Sequence, residues 1–272
     1  MPAALYRDLA SFGLPFVTPG DPTFQSLAEE ILSGTIGPQP DAGFENAAVL
    51  LNRSGKAVIA LAIIWKYLEP GGHARMSTIV NLGSSMQMDV LAGRAEVARD
   101  RFSFFLPGSK RLITEQGFFG DNSDVVPAGT SGGGGSSRSG GGGRVGFDSA
   151  LERIELHLDA VFFEDGLFVG PDELGMFDSV TSDLEIQRNM ARELAAALRS
   201  GASAGFLFEK LRPLAAHPHP TGGGRQTKHR LSQLGTLFAR MAIDRLINQT
   251  NEELLAWFDN VGAPSRLALR RV

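Results

Sequence analysis

Near its middle the chain carries a stretch with almost no side chains. Residues 128–146, AGTSGGGGSSRSGGGGRVG, hold ten glycines in 19 positions. Glycine loses more backbone freedom on ordering than any other residue, and nothing here can pack. The stretch therefore predicts a coil, with a root-mean-square span of about 24 Å. An engineered linker and a natural low-complexity insertion both read this way. The residues C-terminal to the stretch decide where it belongs. From Arg153 to Phe163 the chain alternates, with Ile154, Leu156, Leu158, Ala160 and Phe162 on one face and Arg153, Glu155, His157 and Asp159 on the other. That is the pattern of a half-buried antiparallel strand. Such a strand needs a sheet, and the other strong strands precede the tract. Lengthening a loop costs only about 0.6 kcal/mol per doubling. The tract thus reads as a loop inside one β domain, not as a border.

The strands before it follow from the same rules. Phe44–Asn52, the turn Arg53-Ser54-Gly55-Lys56 and Ala57–Tyr67 read as a hairpin. In its second strand Ile59, Leu61, Ile63, Trp65 and Tyr67 share the expected core face, and Val58, Ala60, Ala62, Ile64 and Lys66 share the other. Met76–Leu82 is a further strand. Phe102–Leu106, Pro107-Gly108-Ser109 and Arg111–Phe119 read as strand, turn, strand. In Asp89–Asp100, Leu91, Ala95 and Val97 fit a short helix no better than a loop. After the alternating strand, Glu164-Asp165-Gly166 turns the chain and Leu167–Val169 returns. Earlier, Asp21-Pro22 followed by Phe24, Leu27, Ile31 and Leu32 spells a short helix.

Beyond Gly170-Pro171 the period lengthens to that of a helix. Ser182 and Glu185 have capping-box spacing, and Ile186, Met190, Leu194 and Leu198 follow at four-residue steps up to Gly201. Phe206–Leu211 suggests a shorter helix. Leu231, Leu234, Phe238, Met241 and Leu246 mark another, and Thr250 with Glu253 opens a last one running to about Asn260. Strands followed by helices, rather than alternating with them, give an α+β chain. The expected architecture is an antiparallel β-sandwich-like domain followed by a C-terminal helical segment. Its divisions are an N-terminal segment with a short helix over 1–43, the β domain over 44–170 with its loop at 128–146, and a helical region over 171–272.

The totals narrow the classes of function. The net charge of −4 implies no general affinity for nucleic acid or a membrane surface. The absence of cysteine rules out disulfides, thiolate metal sites and cysteine nucleophiles. The longest apolar run, Ala57–Trp65, is too short to span a bilayer as a helix. The first residues do not form a signal peptide, because they lack a basic n-region and Arg7-Asp8 interrupts any apolar run. The compartment stays open.

Four groups of residues could carry chemistry. Asp159, Glu164 and Asp165, with Asp172 and Glu173, form an acidic cluster. Paired carboxylates across a cleft serve as acid and base in hydrolysis or bind a hard cation, although tight-turn chemistry already explains Asp165-Gly166. Gly120-Asp121-Asn122-Ser123-Asp124 spaces oxygens like a calcium loop but lacks the glycine and glutamate of an EF-hand, so it reads as an Asx-rich turn. His217 and His219, in His-Pro-His-Pro, could share a face as metal ligands; a site would need a third ligand close by, and His229 is ten residues on. Lys210–Arg240 holds six basic and no acidic residues. Within it Gly222-Gly223-Gly224 precedes Arg225, Lys228 and Arg230, an arrangement able to hold a phosphate, but the spacing is not that of a P-loop. Aromatic interleaving is absent, which disfavours nucleic acid. Asn52-Arg53-Ser54 and Asn248-Gln249-Thr250 are glycosylation sequons.

The stretches NRSGKAVIALAIIWKY, LPGSKRLITEQGFFG and LDAVFFEDGLFVGPDELG resemble those of an uncharacterised bacterial protein family with a β-rich region and a helical tail. The resemblance spans roughly 44–175 and implies architecture only; the Gly/Ser tract is not expected of such a family. No catalytic signature is present and nothing calls for a cofactor. The leading expectation is a non-enzymatic binding or protein-interaction module. The alternatives are a hydrolase using the acidic residues near 164–166 and a phosphate or nucleic-acid binder using the basic 210–240 segment.

Overall fold

Two eleven-residue strands, Val58–Leu68 and Arg153–Phe163, lie side by side in one sheet and pair antiparallel along their length. The computed structural model describes residues 3–33, 46–71, 74–81, 85–97, 104–114, 117–120, 126–127, 151–215, 238–265 and 267–272. The Gly/Ser stretch and the 120–124 loop beyond Gly120 lie outside them.

In chain order the strands are β1 (Ala3–Arg7), β2 (Phe16–Val17), β3 (Ala48–Leu51), β4 (Val58–Leu68), β5 (Ala74–Asn81), β6 (Lys110–Thr114), β7 (Gly117–Gly120), β8 (Val126–Pro127), β9 (Arg153–Phe163), β10 (Leu167–Val169) and β11 (Arg270–Arg271). The helices are α1 (Phe24–Ser33), α2 (Ser85–Leu91), α3 (Met176–Arg199), α4 (Ala204–Ala215), α5, described over 238–248, and α6 (Asn251–Gly262). The larger sheet runs β11-β10-β9-β4-β5, with β1 also on β9. The smaller runs β2-β3-β6-β7-β8. Pairing is antiparallel except for β1 with β9 and β10 with β11. The chain is thus α+β, with two antiparallel-rich sheets and C-terminal helices, as the change of period predicts. Because β4 and β9 are neighbours, the strands on either side of the Gly/Ser tract belong to one sheet.

The chain divides into two compact units, one of residues 1–91, 96–174 and 269–272 and the other of 92–95 and 175–268. In the first unit, the two sheets enclose a core of Ala48, Leu50, Leu61, Ile63, Trp65, Ile113, Phe118, Leu156 and Leu158, among others. The opposite face of the smaller sheet, with Val49, Leu112 and Phe119, is covered by Phe24, Ala28, Ile31 and Leu32 of α1. That helix forms over the residues whose spacing predicts it, although it opens at Phe24 and not at Pro22. Asp21 accepts bonds from the Thr23 N–H and hydroxyl at 2.8 and 2.7 Å. In the second unit, α3 and α6 pack together, and Leu194, Leu207, Leu211, Phe238, Leu254 and Phe258 share one core.

Several expectations are corrected. The Phe44–Tyr67 hairpin does not form. β3 pairs with β2 and β6, while β4 pairs with β5 and β9, so the turn between β3 and β4 carries the chain from one sheet to the other. Asn52 holds that turn. Its amide donates to the Lys56 and Phe105 carbonyls at 2.8 Å each, and its Oδ1 accepts from the Ser54 hydroxyl at 2.6 Å. Arg111–Phe119 is two paired strands, β6 and β7, not one. The helix expected to open at Ser182 opens at Met176, preceded by Gly175 in the left-handed region, so the Ser182–Glu185 spacing falls mid-helix. The Thr250–Glu253 spacing is a true capping box, with both reciprocal bonds made.

The facing of β4 and β9 also departs from simple alternation. The register shifts once between Val58 and Ala60 and once between Ala62 and Ile63, opposite Ala160 and Leu158. Ile59 and Asp159 are the extra residues. A bulge reverses which side chains face the core beyond it. Val58 therefore joins the inter-sheet core in place of Ile59, and Val161 and Phe163 join it in place of Ala160 and Phe162. From Ile154 onward β9 is buried on both faces, where alternation predicts a half-buried strand.

Candidate functional site

The buried second face of β9 carries Glu155, His157 and Asp159, all at most 5 % exposed. Strand geometry aligns Glu155 and His157 on one side, and the bulge aims Asp159. The register sets Lys66 of β4 opposite Glu155, and Arg7 of β1 opposite His157.

The imidazole sits between two carboxylates. His157 Nε2 is 3.0 Å from Glu155 Oε2, and Nδ1 is 3.7 Å from Glu173 Oε1. Glu155 is also bound by Arg153 at 2.8 Å, and Glu173 by Lys66 Nζ at 2.7 Å. Burial, together with the Lys66 and Arg7 charges, holds the His157 pKa below its usual value against the opposing pull of Glu155. Lys66 holds the Glu173 carboxyl below its usual range. Each ring nitrogen faces a carboxylate, Nε2 the buried Glu155 and Nδ1 the more exposed Glu173. Buried polar groups of this kind persist only when bonded, and here each charge has an opposite charge beside it.

Asp159 has a different task. Its Oδ1 accepts the Glu173 N–H at 2.8 Å, its Oδ2 the Leu174 N–H at 3.2 Å, and its carbonyl the Asp172 N–H at 2.9 Å. The carboxyl clamps the segment after β10 onto the bulge. Burial raises its pKa, the two backbone bonds oppose the rise, and Asp172 and Glu173 add to it. Gly170 makes the approach possible: it has φ +122°, and a Cβ there would collide with the Asp159 carbonyl oxygen.

Glu164 and Asp165 lie at the hairpin end, at least four strand positions or roughly 13 Å from Asp159. Glu164 Oε1 accepts the Ala57 N–H at 3.0 Å. Asp165 Oδ2 bonds Lys56 at 2.7 Å and Arg270 at 3.2 Å, and its Oδ1 accepts the Leu167 N–H at 3.2 Å. Burial works to raise the Asp165 pKa, but the bonds from Lys56 and Leu167 outweigh it and hold the carboxyl below its usual value. Asp172 bonds Arg271 of β11 at 3.3 Å. The acidic cluster of the sequence is therefore spread over two places, with Asp159, Asp172 and Glu173 in one and Glu164 and Asp165 in the other. His217, His219, Arg225, Lys228 and Arg230 lie outside the described residues. Among the described residues no group of three His, Asp or Glu could hold a metal ion. No helix among them is long and apolar enough to cross a membrane. The Asn52 side chain is buried with its amide bonded, so that sequon presents no acceptor; Asn248 is exposed and bonded to Asp244.

Sequence reasoning missed the buried role of three residues, Glu155, His157 and Asp183. Glu155–His157 was legible as an i, i+2 pair, but its burial was not. Asp183 lies on α3, 1 % exposed; burial pushes its carboxyl up to about 7, with only Ser179 Oγ nearby at 3.5 Å to oppose it. The signal was a carboxylate between Val180 and Leu184 on the buried stripe of the helix. Comparison with protein-family models, with curated proteins and with solved structures finds no match.

Proposed function

We propose that this chain is a non-enzymatic binding module whose partner is another protein. The observation that carries this reading is the commitment of the acidic residues to structure. Asp159 holds two backbone N–H groups, Glu164 holds one, and Asp165 holds two cations and one N–H. An acid–base pair needs a carboxylate free to meet substrate. One observation favours a second reading, a proton-transfer enzyme: His157, between Glu155 and Glu173, has the form of a general base.

A thermal-shift panel of divalent cations, nucleotides, polyanions and glycans, run beside chromogenic ester, phosphate and glycoside substrates, separates these readings. A small-molecule ligand at a hundred times its dissociation constant adds about 2.7 kcal/mol of stability. The module reading expects no turnover and no shift. Turnover that His157→Gln abolishes in a folded protein establishes the enzyme instead. A salt-sensitive shift with polyanions establishes a phosphate or nucleic-acid binder acting through the basic 210–240 segment.

A further inference from the structure

Strand edges are where one chain's backbone can bind another's, and natural sheets blunt them with short strands, charge, proline or bulges. Among the described residues, the other edge strands are shorter. β2, β8 and β11 are two residues long; β8 ends in Pro127 and β11 consists of two arginines. β1 is five residues long and ends in Arg7. β5 differs. It is eight residues long, Ala74–Asn81, and pairs with β4 in an unbroken register from Leu61↔Asn81 to Leu68↔Ala74. It has no proline, lysine or bulge, and its single charge, Arg75, is paired with Glu69. Among the described residues, the backbone from Met76 to Val80 makes no hydrogen bond beyond the β4 ladder. In an antiparallel sheet about half of an edge strand's N–H and C=O groups point outward. Met76 is 50 % exposed beside them.

We propose that this edge pairs with the β5 of a second copy of the chain, antiparallel about a twofold axis at Thr78. The strand is self-complementary in that register. Arg75 meets Asn81, Met76 meets Val80 and Ser77 meets Ile79. Like charges never oppose, each pair shares a face, and the exposed Met76 gains an apolar neighbour. Two larger sheets then become one continuous sheet. This inference stands apart from the module reading, since an enzyme could dimerise too; a monomer overturns the dimer and leaves that reading intact.

Sedimentation equilibrium of the full chain over a wide concentration range tests it. A single strand pair covers less than a standard interface, so the expected result is a weak, concentration-dependent dimer. Met76→Lys with Val80→Lys sets lysines opposite each other in both halves and weakens association by about tenfold or more. Met76→Glu with Val80→Lys sets opposite charges together and restores it. Circular dichroism of each variant reports that the fold is kept. A monomer at all concentrations overturns the proposal. So does a dimer indifferent to the paired lysines, or a failure of the Glu/Lys pair to restore it.

Discussion

The Asp183 carboxyl, raised from 3.8 to about 7 by burial, makes the folded chain hold a proton that the unfolded chain releases. Its contribution to stability is complete below about pH 3.8 and is lost as the pH rises through about 7. Asp183→Asn should flatten the pH dependence of the urea midpoint over that window. Above it, the variant should be more stable than the parent by up to roughly 4 kcal/mol. At Gly170, φ +122° and the approach to Asp159 leave no room for a side chain. Gly170→Ala should cost roughly 2–4 kcal/mol, measured by chemical denaturation. Asp159→Ala leaves two N–H groups without their acceptor and should cost about 1–3 kcal/mol for each, while Asp159→Asn, which keeps one acceptor oxygen, should cost less. These residues were visible in the sequence only as an acid in a helical stripe, a Gly-Pro break and one acid among several. Their importance comes from neighbours that the fold supplies.

At the scale of elements, local chemistry decided some boundaries and tertiary packing decided others. The α6 start was legible because Thr250 and Glu253 satisfy each other's backbone N–H groups without help. Thr250→Ala should lower stability by about 1 kcal/mol and Thr250→Ser should restore most of it, as read by thermal unfolding. The α3 start was not legible, because the Ser182–Glu185 spacing also suits a helix interior and Gly175 carries the entry seven residues earlier. The bulges at Ile59 and Asp159 were hidden for a related reason. A run such as VIALAIIWKY is apolar on both faces, so the sequence offers no break in alternation to mark where the phase changes.

At the scale of the whole molecule, β4 and β9 share ten paired positions although the Gly/Ser tract lies between them in sequence. A protease site introduced within 128–146 and cleaved under native conditions should therefore leave the two fragments associated through that ladder. They should co-elute in gel filtration and separate only in denaturant. The second unit is also not a simple tail, because the chain returns from it to add β11 to the larger sheet.

By itself the sequence determined that the chain is α+β, that Arg153–Phe163 must find a sheet before the tract, and that helices follow Pro171. Alternation and helical period are local properties, and burial rewards them in whatever fold results. Only the tertiary structure decided that β3 and β4 belong to different sheets, that the Glu155–His157–Asp159 face is buried, and that the acidic residues are engaged by backbone N–H groups and cations. Each depends on which distant groups meet. The physical reason is that a strand carries hydrogen-bonding groups on both edges, and its residues do not name the partner.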